Sequence, residues 1–176
     1  MSATKWVIDP THSEIGFKVK HMMFTNVSGK FSKFDATIES ENNDFENATI
    51  EFTGAVDSIT TGNADRDTHL LSADFFDAAQ FPELKFSATS FTKVNEGEYE
   101  LVGDLTLHGV TKSVKLSAEY SGLLTDPWGN AKIAFSLDSK INRKDWGLNW
   151  NSVLETGGVL VGEEVRLLIE LQFIKQ

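Results

Sequence analysis

The chain has 176 residues, enough for one domain that buries roughly 70% of the surface its unfolded form would expose. Its 16 basic and 26 acidic residues give a formal net charge of -10, spread along the chain instead of gathered in a tail, which speaks against nucleic acid and anionic membrane surfaces. There is no cysteine, so disulfides, thiolate zinc sites and cysteine nucleophiles are excluded.

The opening MSATKWVIDP has no apolar run of the signal-peptide kind, and no window approaches the length of a membrane helix. A cytoplasmic protein without stable membrane insertion is expected, unless a leader has been removed. From Glu14 onward the dominant signal is a period of two, which sends alternate side chains to opposite faces of a strand. One face carries Ile15, Phe17 and Val19, then Ile50, Phe52, Gly54 and Val56. It continues through Tyr99, Leu101, Gly103, Leu105 and Leu107, and through Val114, Leu116, Ala118 and Tyr120. Ile133, Phe135 and Leu137 follow, and last Val165, Leu167, Ile169, Leu171 and Phe173. The stretches 30–40 and 84–94 also read as strands, although Phe31 and Phe34 share a face only if a bulge or strong twist intervenes. Pro10, Pro82 and Pro127 all fall outside the strands, as an unbroken ladder requires.

These segments make about eight long antiparallel strands with one apolar face, in a single domain over residues 1–176. Such a sheet must close on itself or fold into a sandwich. Gly54 and Gly103 on the apolar face point to lumen space, and an eight-stranded barrel is either just filled or just able to hold one ligand. The expected fold is therefore all-β, an extended eight-stranded antiparallel barrel. With up-and-down connectivity the two long connections lie at one end. That end also receives three of the four histidines (His21, His69, His108) and Met22, Met23, Phe24, Arg66, Arg143, Trp146 and Trp150.

The stretch from Thr60 to Pro82 reads as a short helical cap over that mouth. Asn63 serves as N-cap, Asp65 and Asp67 suit the first turn, and Leu70, Leu71, Phe75 and Phe76 point down. On spacing alone, a plugged barrel end and a ligand-holding one both remain open.

The histidines lack the HxH or HxxxH spacing that would fix two of them on one metal. Asp9, His12 and Ser13 are adjacent in an extended chain, so they do not form a triad, and there is no GxSxG elbow, P-loop or GxGxxG. No catalytic motif is present. The alternative reading is an enzyme acting on a small apolar or amide substrate at the mouth, with His21, His69 or His108 as base or metal ligand.

The stretches WVIDPTHSEIGFKVKH, TTGNADRDTHLLSADFFD, FPELKFSAT, GDLTLHGVTKSVKL and INRKDWGL, which span nearly the whole chain, closely resemble the YceI-like family. The matching positions are Asp9, His12, Ser13, Phe17, His21, Arg66, Asp67, His69, Leu70, Phe75, Phe76, Pro82, Gly103, Leu105, His108, Gly109, Arg143 and Gly147. The resemblance implies a lipocalin-like barrel enclosing the chain of a polyisoprenoid lipid, such as an isoprenoid quinone or polyprenyl phosphate, with no other cofactor. Two departures matter: the family's frequent export signal is absent, and Leu71 stands where a basic residue is common. The mouth loops carry Asp65, Asp67, Asp74, Asp77, Asp145 and Glu155, which favours a neutral head group over an anionic one.

The expected ligand contacts are Phe17, Val19, His21, Phe52, Gly54, Arg66, His69, Leu70, Phe75, Phe76, Gly103, Leu105, His108, Phe135, Arg143 and Trp146. On the outer face of the last strand, exposed Leu168 and Ile174 would leave room for a homodimer.

Overall fold

The structure, a computed structural model, describes residues 3–22, 24–41, 44–152 and 160–176. Eleven strand segments follow one another: β1 (Ala3–Ile8), β2 (Glu14–His21), β3 (Thr25–Phe31), β4 (Phe34–Glu41), β5 (Asp44–Ala55) and β6 (Ile59–Thr60). After the helix α1 (Ala64–Leu71) come β7 (Glu83–Asn95), β8 (Glu98–Leu107), β9 (Val110–Thr125), β10 (Ala131–Asn142) and β11 (Val161–Lys175).

Eight topological strands result, because three of them are broken midway. β1 and β2 both run antiparallel to β11, with Ile8 opposite Phe173 and Glu14 opposite Glu170. β3 and β4 are likewise one strand broken at Ser32–Lys33, and β5 and β6 one strand broken by a 3-10 turn at Val56–Ser58. Every neighbour is antiparallel, and the β1–β11 pairing closes the sheet into an up-and-down barrel. The expected eight-stranded fold is therefore present, with the first strand beginning at Ala3 instead of Glu14.

The breaks settle the segments that fit period two poorly. The interruption at Ser32–Lys33 lets both neighbouring rings turn inward: Phe31 packs edge-on to Phe76 and Phe34 stacks on Phe52. A register shift between Ala88 and Ser90 in β7 does the same for Leu84 and Phe91.

The first break is held by its own side chains. Five residues, 9–13, stand opposite only Leu171 and Gln172, so the ladder must be bridged. The Asp9 N–H donates to the Gln172 carbonyl at 2.8 Å, and the Gln172 N–H donates to Ser13 Oγ at 3.0 Å. The Asp9 carboxylate caps the 3-10 turn through Thr11 N–H and accepts from His12 Nδ1 and from Lys132 Nζ of β10, both at 2.8 Å. Ser13 serves the backbone and His12 serves Asp9, so the three side chains are structural.

One end of the barrel is closed by rings. Phe45 lies 6.1 Å from Trp6, 5.4 Å from Tyr120 and 5.7 Å from Phe135, and Phe91 stacks on Tyr99 at 4.6 Å. Trp6, Ile133 and Phe173 are each 1% exposed at or near this floor. Phe135 belongs to this plug. Leu168 and Ile174 are half-buried, not exposed: Leu168 sits in a shallow outer groove with Gly16, Ser28 and Ser136, and Ile174 lies between Val7 and Lys132.

Asp9→Asn is expected to cost about 3 kcal/mol at neutral pH, because it strands a largely buried Lys132 without its counter-charge. Burial raises the Asp9 carboxyl, but the hydrogen bonds from Lys132 and His12 outweigh it and leave the group below its ordinary value. A depressed carboxyl confers stability above its unfolded-state value and loses it as pH falls through the folded one. In urea unfolding, the gap between wild type and variant should therefore be constant at neutral pH and shrink below about pH 4.

Candidate functional site

Opposite the aromatic floor, the interior is a cavity of about 700 Å³. It reaches from His21, Asn63 and Leu160 at the mouth to Leu171 and Phe173 near the floor. Along β11 the lining runs from Val165 to Phe173, a depth of roughly 20 Å for tilted strands. Its walls are almost wholly aliphatic and aromatic, with Leu101, Leu105, Val114, Leu116, Leu167 and Phe86 among them.

The cap forms as its sequence dictates. Asn63 Oδ1 accepts from Arg66 N–H at 3.0 Å, with Asp65 and Asp67 in the first turn of α1. Thr61 ties the helix down: its backbone N–H and hydroxyl donate to Asp67, while Arg66 donates Nε to Thr61 Oγ1 and Nη2 to the Thr61 carbonyl, both at 2.7 Å. Below the helix, Phe75 packs against His69 and Trp150, and Phe76 against Phe31. Leu70, Phe75 and Phe76 line the cavity, while Leu71 packs into the core beside it.

The second long loop is organised by Arg143, which is 5% exposed. Its Nε donates to the Gly162 carbonyl at 2.8 Å and its Nη1 to Leu148 and Trp150 at 2.7 and 2.8 Å. Nη2 donates to the Val161 carbonyl at 3.3 Å, so one guanidinium ties the two ends of the loop together. Burial holds Arg143 below its ordinary value, partly offset by Glu163. The guanidinium also lies 6.0 Å from the centre of the Phe75 ring.

Among the described residues no carboxylate pairs with Arg66 or Arg143. The loop acids are turned to other uses: Asp67 holds Thr61, Asp74 accepts from His69 Nε2 at 2.9 Å and Asp77 from Gln80. Of the charged side chains, Lys20, Arg66, Arg143 and Asp65 line the cavity. Of the acids read from the mouth loops only Asp65 lines the cavity, beside three cations; Glu155 and Met23 lie outside the described residues.

Of the expected contacts, Phe17, Val19, His21, Phe52, Arg66, His69, Leu70, Phe75, Phe76, Leu105, Arg143 and Trp146 line the cavity. Gly54, Gly103, His108 and Phe135 do not. A Cβ on Gly103 would stand 2.4 Å from the Phe86 ring and 2.6 Å from the Ser87 carbonyl, and one on Gly54 3.2 Å from the Phe52 ring. These glycines seat neighbouring aromatics and leave no lumen space.

His108 and Gly109 form a two-residue turn with φ of 53° and 71°, the left-handed geometry of a tight hairpin. The His108 ring donates Nδ1–H to the Trp146 carbonyl at 2.9 Å, and Trp146 Nε1 donates to the Leu105 carbonyl at 3.0 Å. His108 therefore braces the wall. Among the described residues no three His, Asp or Glu side chains converge as metal ligands.

A closed antiparallel barrel with a floor of rings, a helical cap and an apolar interior of this size is a lipocalin-like barrel with room for one ligand. The chain belongs to the YceI-like domain family, whose model matches residues 6–173. A UPF0312 protein of Staphylococcus aureus strain N315 is 35% identical over 171 residues, 97% of each chain. The crystal structure of the Campylobacter jejuni YceI protein superposes with a TM-score of 0.76 at 30% identity, covering 89% of this chain and 90% of that one. Burkholderia cenocepacia BcnA gives 0.80 at 21% identity, covering 94% and 98%. A polyisoprenoid binding domain from Saccharophagus degradans, implicated in plant cell wall breakdown, gives 0.69 at 14% identity, covering 97% and 98%.

Arg143→Met is expected to lower stability by about 3 kcal/mol or more, since several carbonyls lose their donor at once. Arg143→Lys should not restore it, because a compact ammonium cannot span carbonyls on both sides of the loop. Gly103→Ala should cost about 1–3 kcal/mol through the clash with Phe86 and Ser87. Thermal unfolding of the three variants checks both statements.

Proposed function

We propose that this barrel binds the apolar tail of a long isoprenoid lipid, of the isoprenoid quinone or polyprenyl phosphate type, and serves as a carrier, storage or sequestration protein without catalysing a reaction. The observation that carries this reading is the shape and chemistry of the cavity: deep, and apolar below a charged mouth. A globular hydrophobe would use only part of it, whereas an extended chain touches every wall. The polyisoprenoid binding domain of S. degradans shares the fold, which adds support.

Each buried CH₂ is worth about 0.8 kcal/mol relative to water, so a five-carbon unit contributes on the order of 3–4 kcal/mol. Relative to a bilayer that gain nearly vanishes, because lipid tails are already apolar. Selectivity must then come from the tube's shape and from the head group. At the mouth, Arg66 and Arg143 line the cavity with no carboxylate partner, and Arg66 holds Thr61 with Nε and Nη2 and keeps Nη1 for a head that accepts hydrogen bonds, a quinone carbonyl or a phosphate oxygen. The enzyme alternative has less support: His108 is turned to the Trp146 carbonyl and does not line the cavity, and among the described residues no three His, Asp or Glu side chains converge as metal ligands.

Organic extraction of the natively purified protein, with mass spectrometry of the extract, tests the proposal. A near-stoichiometric isoprenoid is the expected result; an empty extract after incubation with isoprenoid quinones and polyprenyl phosphates would overturn it. Leu167→Trp, which adds a ring inside the cavity, should cut the extracted lipid severalfold while leaving the melting temperature within a few degrees of wild type.

A further inference from the structure

The turn between β2 and β3 projects apolar side chains into solvent at the rim of the cavity. Phe24 is 86% exposed and Met22 44% exposed. Met22 holds φ at 53°, a left-handed conformation unusual for a side chain of this kind, and its N–H donates to the Leu160 carbonyl at 2.7 Å. The Phe24 N–H donates back to the His21 carbonyl at 3.3 Å. The protrusion is therefore pinned from both sides, and Lys20 and His21 beside it line the mouth.

We infer that this tip is a bilayer contact: Phe24 and Met22 enter the interfacial region of a phospholipid membrane and set the mouth against it, so that the lipid proposed above passes between membrane and barrel without crossing water. The inference rests on the proposed function for its purpose, but the contact itself does not depend on the ligand. Two side chains offer on the order of 200–300 Å² of apolar surface, far below the roughly 800 Å² per partner of a stable protein interface. A few apolar side chains do suffice for a weak, reversible membrane contact.

Charge permits the approach. The chain carries -10 overall, yet between Ile15 and Phe31 there are three lysines, Lys18, Lys20 and Lys30, and no acid. The acids on adjoining elements are Glu163, held by Lys144 at 2.8 Å, Glu164 opposite Asn142, Asp65 and Asp67 on α1, Asp74 and Asp77 after it, and Asp145 in the second loop. The tip itself is basic inside a rim that carries acids, which suits a zwitterionic surface over an anionic one.

The opposite end has its own exposed group, Leu123, Leu124 and Trp128 at 55%, 61% and 82%, in and beside the turn between β9 and β10. Docking there would aim the mouth away from the membrane, so the two ends make a direct test. Because the chain has no cysteine, Thr25→Cys and Thr125→Cys each place a single environment-sensitive fluorophore at one end.

Phosphatidylcholine vesicles free of isoprenoid should shift the Thr25→Cys probe to the blue and leave the Thr125→Cys probe unchanged. Adding Phe24→Asp, at a position too exposed to matter for folding, should raise the lipid needed for half the shift about tenfold. No shift at Thr25→Cys, a shift only at Thr125→Cys, or a shift indifferent to Phe24→Asp would each overturn the inference. Lipid extraction is scored separately, so a docking protein that yields no isoprenoid would refute the ligand assignment and leave the contact standing.

Discussion

Closing one apolar sheet face on itself is the constraint from which the rest of this molecule follows. A single sheet with one dry side has no second layer to cover it, so the last strand must meet the first. That meeting is awkward here, because the first strand breaks at residues 9–13 while β11 runs on. Asp9 and Ser13 carry the ladder over the break, and the Asp9–Lys132 pair fastens it to β10. The side chains of DPTHS look like a dismembered triad in sequence. In space they are the stitch that closes the barrel.

Closure alone would give a tube, and two further features make it a vessel. Large rings from six strand segments, Trp6, Phe45, Phe91, Tyr99, Tyr120 and Phe135, fill one end so fully that the cavity stops short of them. At the other end the cap lies at the opening, tied to Thr61, and the described parts of the second loop gather round Arg143. Both tethers are hydrogen-bonded guanidinium groups rather than ion pairs, so the cations that hold the loops in place also give the cavity lining its positive balance. The same residues therefore serve architecture and recognition, and their effects on the two should be hard to separate by deletion.

Much of this was legible in the sequence. Period two gave the strands and their inward faces, and the parity of strand ends placed His21, the cap and the Arg143 loop together. Other features were hidden for identifiable reasons. The first strand, with Trp6 and Ile8 alternating, was masked by Pro10 and by a break that resets the count. Glycines on an inward face suggested space, but an aromatic ring two residues away along the strand or on the neighbouring strand fills such a gap as readily as a ligand does: Phe52 at Gly54, Phe86 at Gly103. His108 read as a mouth residue by its position at a strand end, yet its left-handed turn sends the ring to Trp146. The reach of the mouth acids was hidden too, because counting them along a loop does not say which line the cavity: of Asp65, Asp67, Asp74, Asp77 and Asp145 only Asp65 does.

If the cavity is a tube that measures its ligand along its length, affinity must depend on tail length. The most direct test is the affinity of delipidated protein for isoprenoid quinones of one head group and increasing tail length, presented in equal detergent. Affinity should rise with each isoprene unit until the tail reaches the aromatic floor and then level off or fall. Affinity that is independent of tail length, or that rises without limit, would contradict it.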